Sequence, residues 1–424
     1  MSEIKTQRLS DSVALHTFSD SRFKTMKVSV NMLVPLRKAT AARNAILPAL
    51  VSRATREYPD YTALNCRLAQ LYGASLSNSV QKVGEYQVLT LSAAGLSNRY
   101  AFGGEDMFAQ LTELLFDVLF DPLKDSEGLF PLEGFQQEQR QMLEMLDAEF
   151  NDKMTYAHRR CEELLFQGQR AEVGRCGTRE DVEALDRRQV TAGWQELLES
   201  AQFEIFALGD CSPDPELFRA RFSGLGSPQP IGLLAYEEPG EVRRLVEEQP
   251  LSQSKLSMAF RADYAPEEKR LFQLMAAVLG GVPSSKLFQN VREKMSLCYY
   301  CSAGMAPNSR AMFIESGVET ENLERAEEAI YNQLHALQRG DLTEEELLSA
   351  QLALQNSLRS ATDSLPAIEG LSLGQLFGGH VLSPEESIQQ LMSYTKEQVV
   401  EAARRLRPAV VYTLKGGGVH EAEG

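Results

Sequence analysis

The two halves of this sequence repeat one order of secondary-structure patterns, at a spacing of about 220 residues. In the first half, alternating apolar residues predict a strand over 28–34, which Pro35 ends. The next segment has helical spacing, with Asp60 or Thr62 as the N-cap and Gly73 placed for the C-cap. This repeat restricts the chain to two related lobes, because each copy must bury its own apolar faces.

The second copy begins with a predicted strand over 256–260, which is followed by helices over 271–279 and 284–291. Each half then ends with a helix that leads into an apolar strand, over 203–208 in the first half and 410–414 in the second. These patterns predict an α+β fold in which each lobe has an antiparallel-rich sheet covered by helices.

Between the two copies the amino-acid composition and the periodicity change. Residues 223–250 are rich in Gly, Pro and Glu and have little periodicity, which is typical of a surface linker. We therefore predict a first domain over 1–222, a linker over 223–250 and a second domain over 251–424.

The charge balance argues against two classes of partner. The chain has 59 acidic and 43 basic residues, and its net charge of -16 repels nucleic-acid phosphates and anionic lipid headgroups. The six cysteines are scattered, as in proteins of a reducing compartment. Residues 1–20 contain no apolar run long enough for a signal peptide or a membrane span. We expect a cytoplasmic protein that binds neither nucleic acid nor membranes.

One long motif carries a family resemblance. The stretch LGGVPSSKLFQNVREKMSLCY, residues 279–299, resembles the second-lobe signature of the insulinase-like (pitrilysin) zinc peptidases, the group that includes mitochondrial processing peptidase. The stretch LYGASLSN, residues 71–78, is similar to the segment that enters the substrate-side edge strand of the family's first lobe. FKT at 23–25, LYGA at 71–74 and NDK at 151–153 resemble a bacterial branch of small members. The resemblance implies two insulinase-like lobes in a clam-shell arrangement.

Active members of this family carry His-x-x-Glu-His on a first-lobe helix, where two imidazoles one turn apart bind zinc and the Glu activates water. The corresponding helix here reads NAILPALVSRAT, residues 44–55, and contains neither His nor Glu. No two of the five histidines lie within four positions of each other; they are His16, His158, His335, His380 and His420. We therefore expect no zinc site and no cofactor in this chain.

The family's third zinc ligand is a downstream Glu. The matching helix offers Glu138, Glu144 and Glu149, whereas the ligand position itself falls near Met145. We interpret these carboxylates as ordinary solvated residues of a helix.

The resemblance implies a substrate-binding role for three residues. Arg292 and Tyr299 match the pair that contacts the peptide at the scissile bond, and Asn78 lies in the segment that enters the first-lobe edge strand. A guanidinium can bind a peptide carbonyl, and a phenol can donate to a developing oxyanion. The alternative is that Arg292 only forms a salt bridge and Tyr299 only packs in a half-buried strand.

Cys298 and Cys301 have the spacing of a redox or metal pair. In a regular strand, however, residues three apart point to opposite faces of the sheet. On that ground we predict no joint chemistry for these two thiols.

Together these features predict the non-catalytic subunit of a heterodimeric zinc peptidase. A zinc-bearing insulinase-like homologue would supply the zinc and the base, while this chain would supply Arg292, Tyr299 and a surface that binds the peptide. The alternative is a stand-alone protein, either one that binds a peptide by edge-strand addition near 75–80 or a scaffold in a peptide maturation or modification pathway.

Overall fold

The computed structural model describes residues 4–379 and 381–417, and these residues divide into two compact units. The first unit consists of the described residues up to Asp147 together with Val173–Ile231. The second consists of Ala148–Glu172 and the described residues from Gly232 onward.

Each unit contains strands and helices in the mixed order that the sequence repeat predicts. The strands are β1 (Lys5–Ser10), β2 (Val13–Ser19), β3 (Thr25–Pro35), β4 (Ser75–Val83), β5 (Tyr86–Leu96), β6 (Gln202–Gly209), β7 (Arg243–Pro250), β8 (Ser254–Ala262), β9 (Cys298–Met305), β10 (Ala311–Val318) and β11 (Leu406–Gly417). The helices are α1 (Ala41–Val51), α2 (Tyr61–Gln70), α3 (Met107–Phe120), α4 (Leu132–Asn151), α5 (Lys153–Leu165), α6 (Arg179–Glu183), α7 (Arg187–Ser200), α8 (Pro215–Arg221), α9 (Lys269–Ala276), α10 (Leu323–Gln338), α11 (Glu344–Ala361), α12 (Leu365–Leu376), α13 (Pro384–Ser393) and α14 (Lys396–Arg404). Two further segments, Ala277–Gly281 and Leu287–Lys294, have π-helical hydrogen bonding.

The two sheets have matching strand orders. The first sheet runs β1-β2-β6-β3-β5-β4 and the second runs β7-β11-β8-β10-β9. Only β2–β6 and β7–β11 are parallel among the pairings of these sheets, and they occupy equivalent places. The predicted α+β fold with two related lobes is confirmed, and β4 and β9 are equivalent edge strands.

The first core lies on one face of its sheet. Val28, Val30, Met32 and Val34 alternate along β3 and pack against apolar residues of α1, α3 and α7. Burying one such side chain stabilises the fold by about 1.5–3 kcal/mol. Of the two N-caps that the sequence offers, Asp60 and Thr62, the structure uses Asp60: α2 begins at Tyr61, and the Asp60 carboxylate accepts a hydrogen bond from the backbone N–H of Ala63.

The second sheet is covered on both faces. Met258 and Phe260 of β8 pack against the helices that include α9 and α10, whereas Ala259 points to the opposite face. On that opposite face, α5 contributes Ala157 and Cys161 to a separate apolar cluster.

The observed units differ in two places from the domains that the sequence predicts. Residues 148–172, predicted within the first domain 1–222, pack with the second sheet through α5. The predicted linker, 223–250, ends in strand β7, which pairs in parallel with β11. The sequence of β7, RRLVEEQP, is mostly charged and polar and therefore lacks the apolar alternation of a recognisable strand. Within the described ranges, no helix has both the length and the hydrophobicity of a membrane span.

Candidate functional site

The motif that carries the family resemblance folds into an irregular path before edge strand β9. Its two π-helical segments precede Ser296, whose φ of 51° lies in the left-handed region that non-glycine residues rarely adopt. Such irregular backbone is frequent at functional sites. The next residues form β9, so this path sets where the first side chains of the edge strand point.

Tyr299 is solvent-exposed at the start of β9. Its side chain is 60% exposed, and its hydroxyl donates a 2.6 Å hydrogen bond to Oε1 of Glu319. The hydrogen bond to this carboxylate raises the pKa of Tyr299. Tyr299 therefore presents a neutral phenol on a free sheet edge and does not pack in a half-buried strand.

Arg292 lies on the π-helical segment that leads to β9. Its guanidinium carbon is 4.5 Å from the centre of the Phe288 ring, and its Nη1 is 3.7 Å from Oε1 of Glu293. About 39% of the Arg292 side chain is exposed, so the contact with Glu293 leaves part of the guanidinium accessible to a ligand. The backbone N–H of Leu297 donates to the carbonyl of Val291 at 3.2 Å, which places Arg292 near the first residue of β9.

Asn78 belongs to the other unit. It is exposed in the middle of β4, which pairs with β5 on one side and forms the edge of the first sheet. The structure thus brings Arg292 and Tyr299 together near the start of one edge strand and places Asn78 on the equivalent edge strand of the first sheet.

The helix that matches the zinc helix of active relatives is α1. The positions spaced like His, Glu and His are Asn44, Leu47 and Pro48, and all three are buried. Leucine and proline side chains have no donor atom for a metal, and Pro48 also lacks a backbone N–H. Throughout the described residues, no group of three or more His, Cys, Asp or Glu side chains is arranged to hold a metal ion.

Glu138 does not fit the prediction of solvated carboxylates on α4. It is 9% exposed, and its Oε1 accepts a 2.6 Å hydrogen bond from Nη1 of Arg53, just beyond the end of α1. Glu144 is exposed, as predicted, whereas Met145 packs beside the first core. The prediction was wrong for Glu138 because a cation from a segment distant in sequence pairs with it.

The two cysteines of β9 also differ from the prediction. Cys298 pairs with Val318 and Tyr300 pairs with Gly317, so Tyr299 is an extra residue with no partner on β10. This β-bulge shifts the alternation by one residue, and both cysteines contact the second core. Cys298 and Cys301 therefore lie on the same face of the sheet, and the prediction of opposite faces was wrong.

The two thiols influence each other's ionisation. The neighbouring Cys301 thiol lowers the pKa of Cys298 to about 7, with further lowering by Ser316 and by the charge of Arg292. The interaction with Cys298, together with burial, raises the pKa of Cys301 well above its usual value. The pair thus has one accessible, readily ionised thiol and one buried, protonated thiol.

A cleft in the second unit was not predicted. It has a volume of about 720 Å³ and is lined by residues of α9, α11, α12 and β9. Lys269 lines it, and burial lowers the pKa of this amine to about 8. Its Nζ donates to Oδ1 of Asn308 at 2.7 Å and to the backbone oxygen of Gly374 at 3.1 Å. The residues of this cleft are far apart in sequence, so no local motif indicates it.

Comparison with known proteins gives the same family as the motifs. Residues 184–354 match the model of the peptidase M16 inactive domain. Over 409 residues the chain is 25% identical to the probable inactive metalloprotease YmfF of Bacillus subtilis strain 168, and the match covers 95% of both chains. It is 28% identical over 168 residues to the uncharacterized zinc protease YmxG of the same strain, covering 38% of this chain and 41% of YmxG.

Solved structures agree with the fold. A conserved protein from Enterococcus faecalis V583 superposes with a TM-score of 0.91 at 26% identity, over 99% of this chain and 100% of that chain. A peptidase M16 inactive domain from Pseudomonas fluorescens superposes with a TM-score of 0.78 at 18% identity, over 98% of both chains. With its two repeated lobes and a zinc helix without ligands, the chain is similar to the inactive members of the insulinase-like M16 peptidase family.

Proposed function

We propose that this chain is the non-catalytic subunit of a heterodimeric zinc peptidase and that a zinc-bearing M16 homologue is its partner. The observation that carries the proposal is the accessibility of Tyr299 and Arg292 beside a free sheet edge, in a chain whose zinc helix has no ligands. Two polar groups that could bind a peptide are thus retained where the chain's own hydrolytic chemistry is lost.

The chemistry of Arg292 and Tyr299 is compatible with an active site shared between two subunits. The Tyr299 phenol donates its one O–H to Glu319 in the free chain and could turn to donate it to the oxyanion that develops at a scissile carbonyl; its raised pKa keeps it protonated at neutral pH. The Arg292 guanidinium can hold a neighbouring peptide carbonyl through its fixed donors. The partner would supply the metal and the water-activating carboxylate.

The relatives support a pairing of two such chains. One bacterium, Bacillus subtilis strain 168, has both a relative named as a probable inactive metalloprotease and a relative named as a zinc protease. Relatives with these two names therefore occur in one organism, which is compatible with a heterodimer of two such chains.

The test is to co-express this chain with a zinc-bearing M16 homologue from the same organism and to assay the purified complex with a peptide library. We expect equal amounts of the two chains and measurable cleavage. Tyr299→Phe should lower kcat about 10²-fold, as expected for the loss of an oxyanion donor. Arg292→Ala should mainly raise KM, and both variants should still associate with the partner.

The matched controls are Tyr61→Phe and Arg325→Ala, because both residues are exposed and lie outside the motif. Neither control should change the rate. The proposal is wrong if Tyr299→Phe and Arg292→Ala bind the partner and support cleavage at the wild-type rate, or if no complex forms.

A second candidate function is peptide binding by this chain alone, which the free edge of β4 favours. An extended peptide could add a strand along Ser75–Val80, with Asn78 among the exposed side chains that it meets. Fluorescence anisotropy with labelled peptides tests this directly. Binding by the isolated chain that Asn78→Pro abolishes would support it, whereas no binding at micromolar concentrations would exclude it.

A further inference from the structure

The pair Cys298–Cys301 stands out among the cysteines of this chain. Cys161 and Cys211 are buried, and burial raises the pKa of each thiol. Cys66 is exposed but lies on α2, away from the other cysteines in sequence. Cys298 is half-buried and packs against the same core as Cys301, so it can meet both a reagent from solvent and a partner within the chain.

The bulge at Tyr299 brings the two cysteines to one face of the sheet. Without it, the side chains of residues 298 and 301 would point to opposite faces. With it, both cysteines lie on the face that packs against the second core, and Ser316 lies directly opposite Cys301 on β10. The side chains are thus held in place by neighbours on β10.

The surroundings divide the two thiols into an attacking and a resolving group. The neighbouring Cys301 thiol and the Arg292 charge lower the pKa of Cys298 and so stabilise its thiolate, which is the nucleophilic form. Cys301 is 4% exposed and keeps its proton, so a reagent from solvent meets Cys298 first. With this asymmetry, paired cysteines react one after the other, the exposed thiol first and the buried thiol second.

We propose that Cys298 and Cys301 form a redox-active dithiol that hydrogen peroxide oxidises to an intramolecular disulfide. The Cys298 thiolate attacks one peroxide oxygen, the O–O bond breaks, and the departing hydroxide takes up a proton to leave as water. The resulting Cys298 sulfenic acid is attacked by the Cys301 sulfur, which loses its proton as the S–O bond breaks and a second water leaves. Each sulfur is oxidised by one electron, and the two peroxide oxygens are reduced to two waters.

The disulfide would restrain the backbone of the edge strand that bears Tyr299. Since Tyr299 lies between the two cysteines, a covalent bond between them fixes the backbone on both sides of the bulge. The dithiol is independent of the proposed pairing with a zinc-bearing chain, because its chemistry needs only residues of this unit.

The test uses the full-length chain, reduced, freed of reductant and then treated with hydrogen peroxide. After acid quenching, thiols are counted in denaturant and the alkylated peptides are mapped by mass spectrometry. We expect the loss of two thiols per chain, restored by dithiothreitol, and a peptide in which Cys298 and Cys301 are linked. Cys66→Ser should show the same loss of two thiols.

Two variants separate the steps. Cys298→Ser should abolish the loss of two thiols, and Cys301→Ser should leave a Cys298 sulfenic acid that dimedone traps. The wild-type measurement does not depend on whether either variant folds, and circular dichroism checks both. Retention of both thiols, oxidation of Cys298 to a sulfinic acid without a linked peptide, or a disulfide to another cysteine would each overturn the proposal.

Discussion

Tyr299 has no opposing residue on β10, and this irregularity sets the chemistry of its neighbours. The bulge exposes the phenol and brings Cys298 and Cys301 to one face of the sheet. Arg292 then serves two purposes, because its partly exposed guanidinium can meet a ligand while its charge stabilises the Cys298 thiolate. The proposed peptide binding and the proposed thiol oxidation therefore involve one cation.

The shared cation predicts the pH dependence of Cys298 reactivity. The pKa of Cys298 is lowered to about 7, so its thiolate is populated above that pH and lost below it. The groups that act on Cys298 are Cys301, Ser316 and Arg292, and Glu315 acts on Cys301. We expect the rate of Cys298 alkylation by iodoacetamide to rise with a midpoint near pH 7 and to level off above it.

Arg292→Ala should move this midpoint to higher pH, because the thiolate loses a favourable charge. Arg325→Ala serves as the control and should leave the midpoint in place, since Arg325 is exposed on α10. The account fails if alkylation of the wild-type chain follows the titration of an ordinary thiol, with a midpoint near 8.5.

Helix α5 shows that an element need not pack with the half of the sequence in which it lies. In the chain, α5 comes before α6, α7, β6 and α8, which all belong to the first unit. Its residues Ala157 and Cys161 nevertheless pack on the second sheet beside Phe313 and Tyr412. At its polar surface, Nδ1 of His158 is 2.8 Å from Oε1 of Glu315. The second sheet therefore depends on a helix that comes before it in sequence.

This packing predicts the effect of a charge in α5. Ala157 is fully buried, so Ala157→Asp should destabilise the second unit by about 3 kcal/mol through an unpaired buried carboxylate. Hydrogen exchange should show about 10²-fold less protection in β8 and β11. Met154→Asp, at a position on the same helix that is 45% exposed, should change little. Equal loss of protection in the two variants would contradict this packing.

At the scale of the whole molecule, the chain has the repeated fold of its relatives without their zinc-binding motif. Both sheets have the same order apart from the added β1, while Asn44 and Pro48 stand at the positions of the two zinc ligands and Leu47 stands at the position of the catalytic Glu. All three side chains are buried, and Leu47 packs in the first core. This helix therefore contributes packing and no metal-binding imidazole.

The absence of ligands from the zinc helix predicts the metal content of the purified chain. A stable zinc site needs three or four protein ligands, and the zinc helix of this chain offers no imidazole or carboxylate. After dialysis against micromolar zinc, we expect less than ~0.1 zinc per chain by elemental analysis. A zinc-bearing M16 homologue treated in the same way is the control and should retain about one. Stoichiometric zinc in this chain would contradict the prediction.

The sequence by itself determined the repeat, the α+β class and the loss of the zinc motif, because these follow from local periodicity and residue identity. The β-bulge could not be predicted, since it depends on how β9 pairs with β10. Strand β7 and helix α5 were misassigned because their places depend on partners distant in sequence. The pairs Arg53–Glu138 and His16–Glu204 likewise join residues separated by 85 and 188 positions. Only the tertiary structure decides such contacts, because burial removes the competing water and leaves each charge to the partner that the fold provides.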